Sequence, residues 1–412
     1  MKIEKKQILL LLVFIFLYIF IRFVNFTGHL NFSFDQAWTS TRALEIWRNK
    51  ELTLVGPGSS IVTGGKQILQ GSINYYFLLV FLLLGNFEPL ISSYLFMIFT
   101  ALMIIPLFYG VKLLFNQKAA ILIISLYSLL PLYIDFSRFF FGPNFQFSLI
   151  PFLILFTGFY KKTKKQIYLF LVFFMIGVIS QFHFATLIFF PIFLVYVNTR
   201  FRFIVALSGF LLGFSPIIIF ELKNKFYNLV VFLEYLKNSK SLANFQLLPH
   251  RYLSLSLILF IFLAGYLRKK ITDKIIFVSC LLFLVVDLLI YFPKPKNAFG
   301  MADNWNYPME KKAYEIIKKA MPAGRQENLQ DFNIVNLVYD NLSVVIKYQM
   351  KKDNYLIDFD DYYYNKYLFV INKNENIFNN PAYEVNTFKP RKKLNQWKLN
   401  DSYYLYLFER LK

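Results

Sequence analysis

Apolar blocks long enough to cross a bilayer follow one another through the first 292 residues, and the pattern stops at Pro293. A membrane-spanning α-helix needs about 20 mostly apolar residues. Blocks of this kind predict spans over 7–25, 89–111, 118–136, 144–160, 166–182, 184–198, 202–220, 251–267 and 275–292, about nine transmembrane helices in all. The run Ile73–Leu84 is short for a span and suits an interfacial or re-entrant segment. Charge agrees with leaving it out of the membrane path. If it crossed, the cluster Lys161, Lys162, Lys164 and Lys165 would face outward. If it does not, that cluster falls inside with Lys112/Lys118, Arg200/Arg202 and Arg268/Lys269/Lys270/Lys274, as the positive-inside rule demands. The chain starts with Lys2, Glu4, Lys5 and Lys6 before an apolar run from Ile8 to Phe23. That run lacks a small-residue cleavage site and is longer than a signal-peptide core, so it reads as a retained first helix with a cytoplasmic N-terminus.

Polar segments lie between and after these blocks. Asn25 to Gln70 is polar and glycine-rich, and Trp38 and Trp47 among its apolar positions suggest amphipathic pieces on the membrane surface. It belongs to a first extracytoplasmic loop, 26–88. Beyond Pro293 the composition turns to Lys, Asn, Asp and Tyr. Glu310 to Ala320 reads as an amphipathic helix, and Phe332–Tyr339, Tyr367–Ile371 and Tyr403–Phe408 read as strands. The expected organisation is a transmembrane domain, 1–292, followed by a small soluble extracytoplasmic α/β domain, 293–412. No internal repeat is visible, so a transporter built from inverted repeats gets no support.

Composition fits this reading: 57% of residues are hydrophobic and 17% charged. The formal charge of +21 raises the question of nucleic acid, but the basic residues sit in short loops between apolar blocks, which is the membrane pattern. Cys280 is the only cysteine and lies inside an apolar run, which excludes a disulfide framework and a thiolate metal cluster. The three histidines, His29, His183 and His250, form no HExxH-like spacing, so no zinc site is expected.

In the predicted threading, the polar residues that need explaining gather at outer helix ends: Asp35, Asp135, Arg138, Asn144, Gln181, His183 and Glu221. Asp35, some ten residues beyond the first helix, can accept a proton from an attacking hydroxyl; it can equally serve as the N-cap of the helical stretch Gln36–Asn49. Arg138 offers a planar bidentate donor for a lipid phosphate, or an interfacial anchor paired with Asp135. His183 lies at a tight turn where it can donate to a phosphate or simply terminate a helix. The segment Gly56 to Lys66 fails the spacing of a nucleotide phosphate loop, yet Lys66 on a glycine-permissive backbone can meet a lipid-linked phosphate. Asp287 is an intramembrane carboxylate near the outer end of the last span.

Residues 8–225 resemble the GT-C glycosyltransferases, in the branch of the dolichyl-phosphate-mannose protein mannosyltransferases and the bacterial aminoarabinose transferase. The resemblance rests on a first helix, a loop opening with Asp35, and the tyrosine segment Gly71-Ser72-Ile73-Asn74-Tyr75-Tyr76-Phe77-Leu78. Pro131 with the following Arg138, Gln181-Phe182-His183, and the Pro216 to Glu221 end also fit. Gln36 stands where the family often has a second acidic residue, and Ser72 and Ile73 replace its paired prolines. The resemblance implies an inverting transfer of a sugar from a polyprenyl-phosphate donor to a lipid, glycan or protein acceptor on the extracytoplasmic face of the plasma membrane. It implies Asp35 as the catalytic carboxylate. Lys66, Arg138 and His183 would bind or screen the phosphate, with Tyr75, Tyr76, Asp135, Asn144, Gln181 and Glu221 lining the substrate site. No cofactor is certain; a divalent metal is compatible with the chemistry, but no DxD-like acidic pair in the first loop indicates one. The competing classes are a non-catalytic membrane scaffold and a lipid or sugar transporter; a transporter predicts polar residues at mid-membrane depth.

Overall fold

The computed structural model describes residues 4–238, 249–321, 331–359, 362–373 and 381–411. The chain is mostly helical, with a two-stranded and a four-stranded sheet. Among the described residues four helices are long and apolar enough to cross a membrane: Lys5–Phe23, Pro89–Leu114, Gly142–Thr163 and Asp273–Tyr291. The other expected spans fall on shorter or bent helices, and the reasons are local. Expected span 118–136 is cut because Leu130 precedes Pro131: a residue before proline is pushed out of the α region, and Leu130 is extended at ψ 122°. The helix Gln117–Leu129 ends there and a short helix, Pro131–Phe136, turns away. Expected span 202–220 becomes Arg200–Gly213 and Ser215–Lys223, bent by 71° just before Pro216. Expected span 184–198 becomes a 3₁₀ turn, a short α-helix and a second 3₁₀ turn over Phe184–Tyr196. Pro191 removes a donor from that stretch. Expected spans 166–182 and 251–267 correspond to the helices Gln166–Phe182 and Pro249–Tyr266.

Tight helix contacts hold this part together. Helix Gln166–Phe182 runs so close to Arg200–Gly213 that a Cβ on Gly213 would stand 2.2 Å from the carbonyl oxygen of Phe174. Small residues at such crossings let backbones approach, which is how helices pack where no hydrophobic force separates them from lipid.

The segment between the first two long helices folds into more structure than surface-lying pieces. A loop helix, Phe34–Asn49, is followed by an antiparallel hairpin of β1 (Val55–Thr63) and β2 (Lys66–Gly71) and by helix Ile73–Leu84. The hairpin turn is Gly64-Gly65, both at positive φ, the backbone a tight two-residue hairpin requires. Helix Ile73–Leu84 coincides with the run set aside as too short to span.

The C-terminal part is an α/β sheet in the order β3-β4-β6-β5, with strands Phe332–Asn336, Tyr367–Asn372, Arg391–Lys398 (β5) and Tyr404–Arg410 (β6). β3 and β4 are parallel and the remaining pairs antiparallel. The three expected strands are β3, β4 and β6, and the expected amphipathic helix is Tyr307–Ala320. Strand β5 and the helix Val344–Lys352 were not anticipated. β5 is an exposed edge whose Lys392 and Lys393 suit a strand that must not pair with another chain. Val344–Lys352 is buried through its first seven residues, the polar Lys347 and Gln349 included, so burial on it does not follow an amphipathic period that the sequence would show.

Helix Val344–Lys352 docks on the loop helix, and polar contacts fix the joint. Arg48 donates to the terminal carbonyls of Lys351 (2.7 Å) and Lys352 (2.9 Å), capping that helix, while Lys351 pairs with Glu45 at 3.1 Å. Glu88 accepts from Lys352 Nζ and the Tyr307 hydroxyl, each at 2.9 Å, with Lys311 3.7 Å away. Phe32 packs against the rings of Tyr307 and Tyr348.

Although burial opposes ionisation, these partners together hold the Glu88 carboxyl below its ordinary value. A depressed carboxyl stabilises the joint above the value of the free group and loses that stabilisation as pH falls through the depressed one. Accordingly, protease accessibility of the junction in detergent should rise as pH drops below about 4.5, the ordinary glutamate value. Glu88→Gln should show the raised accessibility already at neutral pH, with a flattened acid response. An unchanged acid response in the variant would remove Glu88 as the pH-sensitive contact.

Candidate functional site

The loop helix begins with a capping box. Ser33 is its N-cap, and the Gln36 side-chain oxygen accepts from the Ser33 backbone N–H (3.2 Å) and hydroxyl (2.7 Å). The cap is therefore Ser33 and not Asp35. Gln36, where a second acidic residue was anticipated, holds the start of the helix. Asp35 sits in the first turn, where a carboxylate is favoured by the helix dipole. Its carboxylate makes no hydrogen bond or ion pair among the described residues, and the surrounding protein walls hold it above its ordinary value.

Asp35 faces a cavity of about 670 Å³. One wall is the loop helix, with Phe34, Trp38 and Thr39 beside it. The Phe34 and Trp38 rings stack at 5.9 Å, and Trp38 meets Phe359 of the C-terminal sheet region edge-on at 5.1 Å. Trp38 thus forms part of the cavity wall. The hairpin forms a second wall through Gly56 to Ser60, Gln67 and Gln70. Its glycines have a steric cause, since a Cβ on Gly56 would stand 2.2 Å from the Gly71 carbonyl oxygen. Asn74 and Tyr75 line the cavity from the first turn of helix Ile73–Leu84, and Gly142, Pro143 and Phe145 from the first turn of helix Gly142–Thr163. His183, N-cap of the 3₁₀ turn Phe184–Ile188, completes the lining; its Nδ1 accepts from Ala185 N–H at 3.3 Å. Three α-helix N-termini therefore converge on one cavity. Each carries a partial positive charge of roughly half an elementary unit and attracts anions.

Among the described residues, the lining holds no lysine or arginine. The cationic residues expected beside a phosphate lie elsewhere. Lys66 opens β2 directly after the hairpin turn and is exposed away from the cavity. Arg138 is fully buried: Nη2 donates to the Ile21 carbonyl at 3.1 Å, Asp135 lies 3.8 Å away, and the guanidinium stands 4.4 Å above the Tyr291 ring. Arg22, also fully buried, donates to the Ser137 hydroxyl (2.5 Å) and the Ser128 carbonyl (2.7 Å). Asp287 closes the group from the last long helix, fully buried with no hydrogen-bond partner among the described residues. The break at Pro131 turns Arg138 back into the bundle, so Arg138 and Asp135 join helices rather than reach the cavity.

The other expected residues serve the frame. Asn144 donates to the Phe139 carbonyl at 2.9 Å and ties the turn before its helix. Gln181 donates to the Gly213 carbonyl at 2.6 Å, bracing the bent helix pair. Glu221 accepts from Asn228 and Leu229 N–H at 3.2 and 3.4 Å, at the start of helix Tyr227–Asn238. Asn228 in turn brackets Leu69 of β2 with two hydrogen bonds and holds the hairpin in place. Tyr76 exchanges hydrogen bonds with the Thr53 backbone. Asp35, Tyr75 and His183 are the expected residues that share the cavity. Trp38, Gln67, Gln70, Asn74 and the Gly142-Pro143 start of a helix were missed. Proline at the first helical position was the available signal for the last of these. Among the described residues no group of three or more His, Cys, Asp or Glu side chains is gathered that could hold a metal ion.

No protein-family model, curated protein or solved structure matches the chain.

The burial of Arg138 has a direct consequence. Arg138→Ala leaves the part-buried Asp135 carboxylate without its ion-pair partner and empties a fully buried site, and should cost about 3–5 kcal/mol, read as a lowered thermal midpoint in detergent. Lys66→Ala, at an exposed turn, should stay within about 0.5 kcal/mol of the parent. A stable Arg138→Ala protein would contradict this account of the cluster.

Proposed function

We propose that the protein is a membrane glycosyltransferase that moves a sugar from a polyprenyl-phosphate donor to an acceptor hydroxyl, with inversion, on the extracytoplasmic face. The observation that carries this reading is the unpaired Asp35 carboxylate sharing one cavity with the first turns of two further helices. In this reading nine segments thread the membrane, the short and bent helices included, and the loop helix and C-terminal sheet stand outside.

The transfer needs two electrostatic services. The acceptor oxygen forms a bond to the anomeric carbon while its proton passes to the Asp35 carboxylate. The bond from that carbon to the phosphate oxygen breaks, and the departing lipid phosphate gathers negative charge. The converging helix N-termini supply fixed positive potential for it, and His183, whose Nδ1 accepts from Ala185 N–H, offers its Nε2–H as a donor, in place of the arginine and lysine expected from sequence. Trp38 and Tyr75 give flat apolar surface for a sugar ring, and Gln67, Gln70 and Asn74 offer amides to its hydroxyls.

Purified protein incubated with polyprenyl-phosphate sugars should transfer or hydrolyse the donor, and Asp35→Asn should be slower by about 10²–10⁴-fold with donor affinity retained. Because the Asp35 carboxyl lies above its ordinary value, the wild-type rate should fall on acidification through a point above the usual aspartate range, and this limb should be absent from any residual Asp35→Asn rate. Undiminished turnover by Asp35→Asn would overturn the assignment of the base.

A further inference from the structure

A second cavity, of about 410 Å³, lies at the other end of the loop helix, between its last turns and the C-terminal sheet region. Leu44, Phe332 and Ile357 form its apolar part. Its cations are already engaged: Arg48 caps the helix Val344–Lys352 through two carbonyls, and Lys351 pairs with Glu45. In contrast, the side chains of Asn49, Asn354, Tyr355 and Asp358 line the cavity without a hydrogen bond or ion pair among the described residues. Two amides, a phenol and a carboxylate around an apolar floor are the groups that recognise hydroxyls on a compact ring. The one uncommitted charge is the negative Asp358, which disfavours phosphate and other anions.

We propose that this cavity is a saccharide-binding site for neutral or amino sugars, held by Tyr355, Asn354, Asn49 and Asp358. Glu45 follows Asp35 by ten residues on one helix, so the two cavities are separated by about 15 Å along it at 1.5 Å per residue. The segment forming the second cavity's wall, Asn354–Asp358, leads directly to Phe359, which packs on Trp38 of the first. A saccharide placed here belongs to the acceptor; that attribution, unlike the binding itself, rests on the transferase reading above.

The test is saturation-transfer NMR on the full-length protein in detergent, with mannobiose, cellobiose and diacetylchitobiose as probes and inorganic phosphate as competitor. At least one disaccharide should bind, unaffected by phosphate. Asp358→Asn and Tyr355→Ala should each weaken it by about tenfold, the loss expected for one good hydrogen-bonding partner. Asp358 is exposed, so its isosteric variant should fold. Asp35→Asn should leave this binding unchanged. The proposal falls if no probe binds, if phosphate displaces the sugar, or if Asp35→Asn abolishes binding while Asp358→Asn does not, which would place the sugar in the first cavity. Saccharide binding without any donor hydrolysis by wild type would keep this site and sink the transferase reading instead.

Discussion

Two fully buried guanidiniums, Arg22 and Arg138, set where the helices of this protein meet. A charge in a low-dielectric bundle must be matched by carbonyls, hydroxyls or carboxylates. The matching groups here come from the first helix, helix Gln117–Leu129 and the broken segment around Pro131, and the last long helix adds the Tyr291 ring under Arg138. Asn25 continues the same joint by donating to the carbonyls of Tyr291, Phe292 and Pro293. The chain just beyond the first helix is thereby fastened to the chain that leads into the C-terminal sheet. Those two segments carry the loop helix and its docking partner, so the cavity geometry descends from this joint.

The cavity itself manages charge differently. Among the described residues its lining has no lysine or arginine, and its positive potential comes from backbone dipoles at three helix starts. Such dipoles are fixed by the fold and need no reorganisation as charge develops, which is the economical arrangement for a leaving phosphate. One anionic side chain, Asp35, stands within that field with no hydrogen bond or ion pair among the described residues. The helix that carries it is gripped at its far end by Arg48 and Glu45, and Trp38, one turn beyond Asp35, is contacted by Phe359. The C-terminal region thus braces the loop helix as well as extending beyond it.

Much of this frame was legible in the sequence, and the failures have physical causes. Apolar blocks located the long helices, and the short run Ile73–Leu84 was set apart by its length and by the placement of the basic loops. Leu130-Pro131 and Ser215-Pro216 marked breaks that a count of apolar residues ignores. The hairpin escaped because β1, Val-Gly-Pro-Gly-Ser-Ser-Ile-Val-Thr, has little alternation, though Gly64-Gly65 is a strong turn signal. Ser33 and Gln36 announced a capping box that was passed over in favour of Asp35 as cap. Arg138 was misplaced because spacing shows that an arginine lies near a helix end, not whether it turns inward. The converging helix N-termini begin at Phe34, Ile73 and Gly142, a juxtaposition of distant segments that no local pattern encodes.

The most direct test of the central claim is a cryo-EM structure with a non-hydrolysable polyprenyl-phosphonate sugar bound. The account requires the sugar in the cavity beside Asp35, with the phosphonate oxygens toward the first turns of helices Ile73–Leu84 and Gly142–Thr163. A headgroup seated on Arg138 or Lys66, with the Asp35 cavity empty, would contradict it.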